Sequence, residues 1–349
     1  VSRVLLSNRV NYWTGEEGRM FEREFAEWAG VDHAVAVANG TVALDLCWKA
    51  IGLQVGDEVI VTPRTFLASV SSIVNAGGVP VFADVCRDSQ NITPETVAPL
   101  ITSRTKAICL VHLAGWPCDV DGFRQLIADR DIALVEDCAQ AHGALYKGKP
   151  VGSLGDIAAW SFCQDKIMST GGEGGMVTTS RSDYWKAAWS YKDHGKSWEA
   201  VYERDHAPGF RWLHESIGTN WRLTEMQSVI GRLQLRRMSE WHDARVKNAR
   251  ALQQCCSQYP LFRVPDLPAD IEHAQYKCYV FIDETKLDDG WSRDRLMGEI
   301  SALGVPCFSG SCSEVYLEKA LCGLDSAPNE RLPVARELGE TSVMFLVHP

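Results

Sequence analysis

The sequence predicts an α/β fold, a mostly parallel sheet lying between helices, with a smaller C-terminal α+β domain. Three observations carry that prediction. From residue 57 onward, short β-rich runs alternate with helical stretches, the rhythm of strands joined by helical crossovers. The runs are apolar over most of their length, as in TKAICLVHL at 105–113 and IALVED at 132–137, which is how strands covered on both faces read. After residue 260 the signals thin to the strand-like YKCYVFID, one helix near 292–303 and a closing SVMFLV.

Taken in order, Thr14 and Glu17 form a capping-box pattern ahead of Phe21, Phe25, Trp28 and Ala29 at helical spacing. Gly40-Thr41 opens a second stripe, Leu44, Cys47, Ala50 and Ile51, that stops at Gly52, with Thr41 as the expected cap. EVIVTP, a helix through 65–76, VPVFADV, a helix near 94–101, TKAICLVHL, a helix near 120–130 and IALVED follow. The runs IAAWSF at 157–162 and GMVTT at 175–179 flank a glycine-rich loop. Thr224 with Gln227 caps a helix carrying Met226, Val229, Ile230, Leu233 and Met238. The expected organisation is an N-terminal arm over 1–20, a large domain over 21–240 and a small domain over 241–349.

Composition narrows the function. The 349 residues carry 35 Lys+Arg against 45 Asp+Glu, a net charge of −10, and an acidic chain with no basic block disfavours nucleic-acid binding or anionic membranes. No run approaches a membrane span and no signal core stands at the N-terminus, so a cytoplasmic protein is expected. Twelve cysteines are scattered without a CxxC pair, which argues for reduced thiols and against a zinc ribbon; no metal is expected.

Chemistry concentrates at strand ends. The segment from Ser161 to Gly175 sets Lys166 in a loop after an apolar strand, with four glycines close behind. That lysine is either solvated or reaches into a cleft. Asp137 ends a buried strand, where a carboxylate needs a partner. A helix cap, an arginine or a protonated pyridine nitrogen would each serve.

With these residues in place, the chain resembles the DegT-type sugar aminotransferases, within fold type I of the pyridoxal-phosphate enzymes. The likeness runs through VANGTVALDL, DEVIVTPRTFLASVSSI, VPVFADV, LVEDCAQAHGA, GDIAAWSFCQDK, GGEGGMV, NWRLTEMQ and the closing HP. It implies a seven-stranded-type sheet and pyridoxal 5'-phosphate as cofactor, with pyridoxamine 5'-phosphate as the intermediate form. It also implies that Lys166 condenses with the cofactor aldehyde and that Asp137 holds the pyridinium proton. Gln140 would meet the ring hydroxyl edge, Phe66 would stack on the ring, and Gly40, Thr41 and Ser161 would receive the phosphate. Asn220 would reach the phosphate of the neighbouring subunit, which makes the protein a homodimer with a shared site.

The resemblance implies glutamate as amino donor and a keto-sugar acceptor, nucleotide-linked and 3- or 4-keto, in amino-sugar biosynthesis for polysaccharide such as lipopolysaccharide or for secondary metabolites. Relatives with histidine at the lysine position remove a sugar hydroxyl instead. Lys192, His194, Arg222 and Tyr316 are the candidate acceptor contacts. Many sugar-directed relatives carry a PLH-type segment where this chain has FSGSCSEVYLEKA at 308–320. Ser309, Ser311 and Tyr316 would replace those contacts, or the acceptor is a cyclitol or a higher-carbon keto-sugar acid. The expectation from another class is a noncatalytic, cofactor-binding regulator.

Overall fold

A computed structural model describes residues 1–324 and 326–349. Seven strands build the main sheet: β1 His33–Val37, β2 Glu58–Val61, β3 Val79–Phe82, β4 Thr105–Val111, β5 Ala133–Asp137, β6 Ile157–Ser161 and β7 Gly175–Thr179. Their spatial order is β1-β7-β6-β5-β4-β2-β3. β7 runs antiparallel to both β1 and β6, and every other pairing is parallel. All residues of β2, β6 and β7 are buried, so these strands read as apolar runs and not as alternation. β1 was not anticipated: HAVAV is five residues pressed between two helical stripes.

The small domain has a second sheet, β8 Phe262–Arg263, β9 Cys278–Ile282, β10 Cys307–Phe308 and β11 Ser342–Phe345, antiparallel in the order β8-β9-β11-β10. The helix Met238–Cys256 joins the two bodies. Met238 packs in the large-domain core, whereas Ala249 and Cys256 pack with β9 and β11. Residues 240 and 241 both lie within this helix, which bridges the two cores.

Two helix starts differ from expectation. Glu17–Ala29 is not capped by Thr14; the Glu225 carboxylate accepts the amides of Glu17 and Gly18 at 2.6 and 2.9 Å. A carboxylate serves that end better than a hydroxyl because it also meets the positive end of the helix dipole. Gly40–Ala50 is capped by Asn39, not Thr41, through a 3.0 Å bond from the Val42 amide. The capping box of Thr224 and Gln227 forms, but the helix ends at Leu235. Its buried face is Glu225, Ser228, Gly231, Arg232 and Leu235, packed on Glu17–Ala29. Met226, Val229 and Ile230 are only part-covered, and Leu233 is 52% exposed. Among the described residues, no helix is long and apolar enough to cross a membrane.

Candidate active site

A cleft of about 880 Å³ opens where β4, β5 and β6 end, at Val111, Asp137 and Ser161, and the small domain closes its far side with Tyr276, Lys277, Tyr279, Phe308 and Ser311. Ligands of open α/β sheets sit beyond the carboxyl ends of strands, as this cleft does. Gly40, Thr41, Phe66, Asp137, Gln140, Ser161 and Lys166 all line it. The chain places Lys166 five residues past the end of β6 in a tight turn, and its largely buried side chain lines the cleft.

Asp137 is 5% exposed and, among the described residues, has no cationic partner within ion-pair distance. Its Oδ2 accepts the Ser69 hydroxyl at 2.7 Å and its Oδ1 accepts the Ala139 amide at 3.1 Å. Such a buried carboxylate gains most from a cationic N–H. Of the three partners open to Asp137 from sequence, arginine is therefore absent, and the cleft-facing position suits a ring nitrogen. Gln140 also lines the cleft, with Oε1 committed to the Ala114 amide at 2.7 Å. Phe66 presents a ring 70% exposed.

At the other end lies an anion cradle. Asn39 takes the Val42 amide, leaving the amides of Gly40 and Thr41 without an intrahelical acceptor at the first turn. A Cβ on Gly40 would stand 2.6 Å from Ser161 Cβ and 3.0 Å from Ser161 Oγ. Only glycine lets that turn approach the strand end so closely. A pyridoxal phosphate fits this donor set: cradle for the phosphate, carboxylate for the ring nitrogen, aromatic face for the ring, lysine for the aldehyde.

The acceptor candidates fare differently. Lys192 is 0% exposed, its ammonium 3.2 Å from Glu22 and 3.8 Å from the Tyr12 ring centre, so it is corrected to an internal ion pair. Tyr316 is likewise core: its hydroxyl donates to Glu314 at 2.6 Å, accepts the Leu332 amide at 2.9 Å, and its ring packs on Phe82. Arg222 is tied to buried Asp193 at 2.6 Å. His194 is exposed with a left-handed φ of 61° and lies outside the cleft lining, as does exposed Asn220. Ser311 reaches the cleft, where its amide is bonded to the Tyr279 hydroxyl at 2.9 Å.

Sequence reasoning missed Ser69, Asp165, Tyr276 and Lys277. Asp165 precedes Lys166 and accepts the Tyr276 hydroxyl at 2.6 Å; this contact, with the Lys166 and Lys277 charges, holds its carboxyl low against the upward push of burial. Tyr276 and Lys277 had registered only as part of a strand run. The buried trio His112, Glu136 and Cys138 has the proximity of metal ligands, but its atoms are engaged. His112 Nδ1 accepts the Cys118 amide at 3.0 Å and Nε2 meets Glu136 at 2.9 Å, while Glu136 also accepts the Gly152, Leu154 and Gly155 amides. This network braces β5 beside Asp137.

Comparison with known proteins agrees. The profile of the DegT/DnrJ/EryC1/StrS aminotransferase family matches residues 1–349. A GDP-perosamine synthase of Caulobacter vibrioides is 36% identical over 299 residues, 84% of this chain and 76% of that protein. A dTDP-3-amino-3,4,6-trideoxy-alpha-D-glucose transaminase of Streptomyces venezuelae is 31% identical over 100% of this chain and 86% of that protein. The crystal structure of an aminotransferase from Psychrobacter cryohalolentis superposes with a TM-score of 0.98 at 60% identity, covering 100% of this chain and 90% of that one. The chain belongs to the DegT/DnrJ/EryC1/StrS aminotransferase family, a family of pyridoxal-phosphate-dependent transaminases.

Proposed function

We propose that this transaminase moves an amino group from glutamate to a nucleotide-linked 3- or 4-keto sugar, as a homodimer with a shared active site in the cytoplasm. The observation that carries the reading is the convergence of Lys166, uncompensated Asp137 and the Gly40–Ser161 cradle on one cleft. The names of the two sugar-directed relatives supply the acceptor class.

When bound, the cofactor supplies an electron sink for the carbanion formed at the substrate carbon. Asp137, oriented by Ser69 and the Ala139 amide, holds the ring-nitrogen proton. The amides of Gly40 and Thr41 and the Ser161 hydroxyl would bind the phosphate and so anchor the cofactor in the cleft. Phe66 covers the ring face and Gln140 its hydroxyl edge. Lys166 Nζ, lining the cleft, would take the proton from the substrate carbon and give it back in the second proton transfer.

Two features favour a second copy. The stripe Met226, Val229, Ile230 and Leu233 is left part-open, and Asn220, five residues ahead of the same helix, is exposed. In this reading the stripe meets the other subunit and Asn220 completes the other subunit's phosphate site. Purified holoprotein should be yellow and should bleach with L-glutamate, and the yellow form should return on adding the correct keto sugar from a panel of 3- and 4-keto nucleotide sugars. Protein that never retains pyridoxal phosphate, or that bleaches with no amino acid, would overturn the reading.

A further inference from the structure

We propose that Lys277 receives the carboxylate of the amino donor and so selects an amino acid as the donor. The proposal rests on the transaminase reading above and assigns one of its binding steps. Lys277 sits where YKCYVFID enters β9 and lines the cleft together with Lys166. Its ammonium is 4.7 Å from the centre of the Tyr276 ring, and the ammonium of Lys166 is 5.2 Å from the same centre. Both cations therefore border one aromatic ring.

The cluster is short of negative charge. Among the described residues, no carboxylate comes within ion-pair distance of Lys277, and the acid nearest the pair, Asp165, is already engaged. Asp165 accepts the Tyr276 hydroxyl at 2.6 Å and lies 3.9 Å from Lys166. The buried Arg245 guanidinium is held by the Gln275 and Tyr276 carbonyls at 3.4 Å and by His348 Nδ1 at 3.3 Å, and its Nε has no hydrogen-bond partner among the described residues. Burial pulls the Lys277 ammonium below its ordinary pKa; Asp165 opposes this, and Arg245 and Lys166 add to it. A half-buried ammonium among cations gains more from an arriving anion than an exposed one would.

Bond connectivity decides which anion. In an amino acid the carboxylate is attached to the carbon that bears the reacting nitrogen, so it comes to rest beside the nitrogen of Lys166. In a nucleotide-linked sugar the diphosphate is at least two ring atoms removed from a 3- or 4-keto carbon and is carried away from the reaction. A cation adjoining Lys166 matches the first and not the second.

The test uses the yellow holoprotein and two reagents that attack through the same aminooxy nitrogen: aminooxyacetate, which has a carboxylate, and O-methylhydroxylamine, which has none. The ratio of their rate constants, read from loss of the yellow absorbance, should fall about 10- to 100-fold in Lys277→Met, the worth of one charge-assisted hydrogen bond, and should be largely kept in Lys277→Arg. Glutarate binding, measured by calorimetry, should weaken by the same factor. Should Lys277→Met not fold, Lys277→Gln reads the same ratio. An unchanged ratio in the neutral variant overturns the proposal. Failure of the native holoprotein to exchange its amino group with any amino acid overturns the transaminase reading instead, and the reagent ratio keeps the two failures apart.

Discussion

The Ser69 hydroxyl donates to Asp137 Oδ2 at 2.7 Å, while Thr65 and Ser69 are themselves bonded hydroxyl to hydroxyl at 2.8 Å. The relay ties the segment that presents Phe66 to the carboxylate at the end of β5. It fixes the cleft-lining carboxylate without neutralising it. Ser69→Ala should slow the glutamate half-reaction about tenfold, the cost of one hydrogen bond to a charged group. Asp137→Asn, which removes the charge itself, should slow it about a hundredfold or more. Stopped-flow bleaching measures both, and a larger loss in Ser69→Ala than in Asp137→Asn would reverse these roles.

Gly40→Ala tests the cradle from its steric side. The new Cβ would stand 2.6 Å from Ser161 Cβ, so the helix start must move away from the strand end, at a cost of about 1–3 kcal/mol. The expected outcome is a folded protein that releases its cofactor at least tenfold more readily. Equilibrium dialysis against pyridoxal phosphate checks it, and unchanged affinity would mean that the phosphate lies elsewhere.

Much of the fold was legible because β2, β4, β5 and β6 are buried on both faces and separated by helical stripes that keep one period. The cleft residues Lys166, Asp137, Gly40 and Ser161 were legible because they sit at strand ends within long, ordered motifs. What stayed hidden depends on contacts between distant segments. Glu225 caps a helix that begins 208 positions earlier in the chain, and no local pattern announces this. Lys192 and Tyr316 looked available because polarity marks a residue as surface by default, yet each has a buried acid waiting, Glu22 and Glu314. Ser69 and Lys277 lie in segments whose apolar neighbours identify a helix and a strand, so their own chemistry was masked.

Lys192→Met therefore bears on stability and not on recognition. Removing the ammonium leaves Glu22 buried with the Tyr12 hydroxyl and the Ala36 amide as its remaining donors. Breaking a buried pair from one side costs about 3–5 kcal/mol, which should appear as a lower urea midpoint. The Michaelis constant for the acceptor, measured on folded enzyme, should stay unchanged; a large rise with no stability loss would return Lys192 to the substrate.

Acid sensitivity should follow from two buried histidines. Burial first, then the charges of Lys166 and Arg245, push His142 down to about 3, and its two ring nitrogens have no hydrogen-bond partner among the described residues. Burial and His242 push His273 down to about 3. In the unfolded chain both protonate near pH 6.5, so below that pH the unfolded state binds more protons. Stability is then full above pH 6.5 and falls toward pH 3 by about 1.4 kcal/mol per pH unit for each histidine. His142→Phe, which suits the neighbouring Trp160 and Phe162 rings, should lower the slope of urea-unfolding free energy against pH by one histidine's worth between pH 6 and 4. A slope unaltered by the substitution would assign the acid sensitivity to other groups.

The part-open stripe on Glu225–Leu235 gives the last prediction. Leu233 is 52% exposed beside part-covered Met226, Val229 and Ile230, whereas the opposite face of the helix is locked by Arg232 to Glu17 and Glu24. A charge at Leu233 is therefore tolerated by the single chain and penalised only if a second copy covers it. Leu233→Glu should leave the unfolding midpoint of the isolated chain near its native value, shift the sedimentation equilibrium from dimer toward monomer, and release cofactor as the dimer separates. Asn220→Asp should weaken cofactor retention while the protein stays dimeric, because a carboxylate would face the phosphate of the other subunit. If Leu233→Glu remains dimeric, the subunits meet through another face; if it becomes monomeric and still holds its cofactor as tightly as before, the phosphate site is complete within one chain.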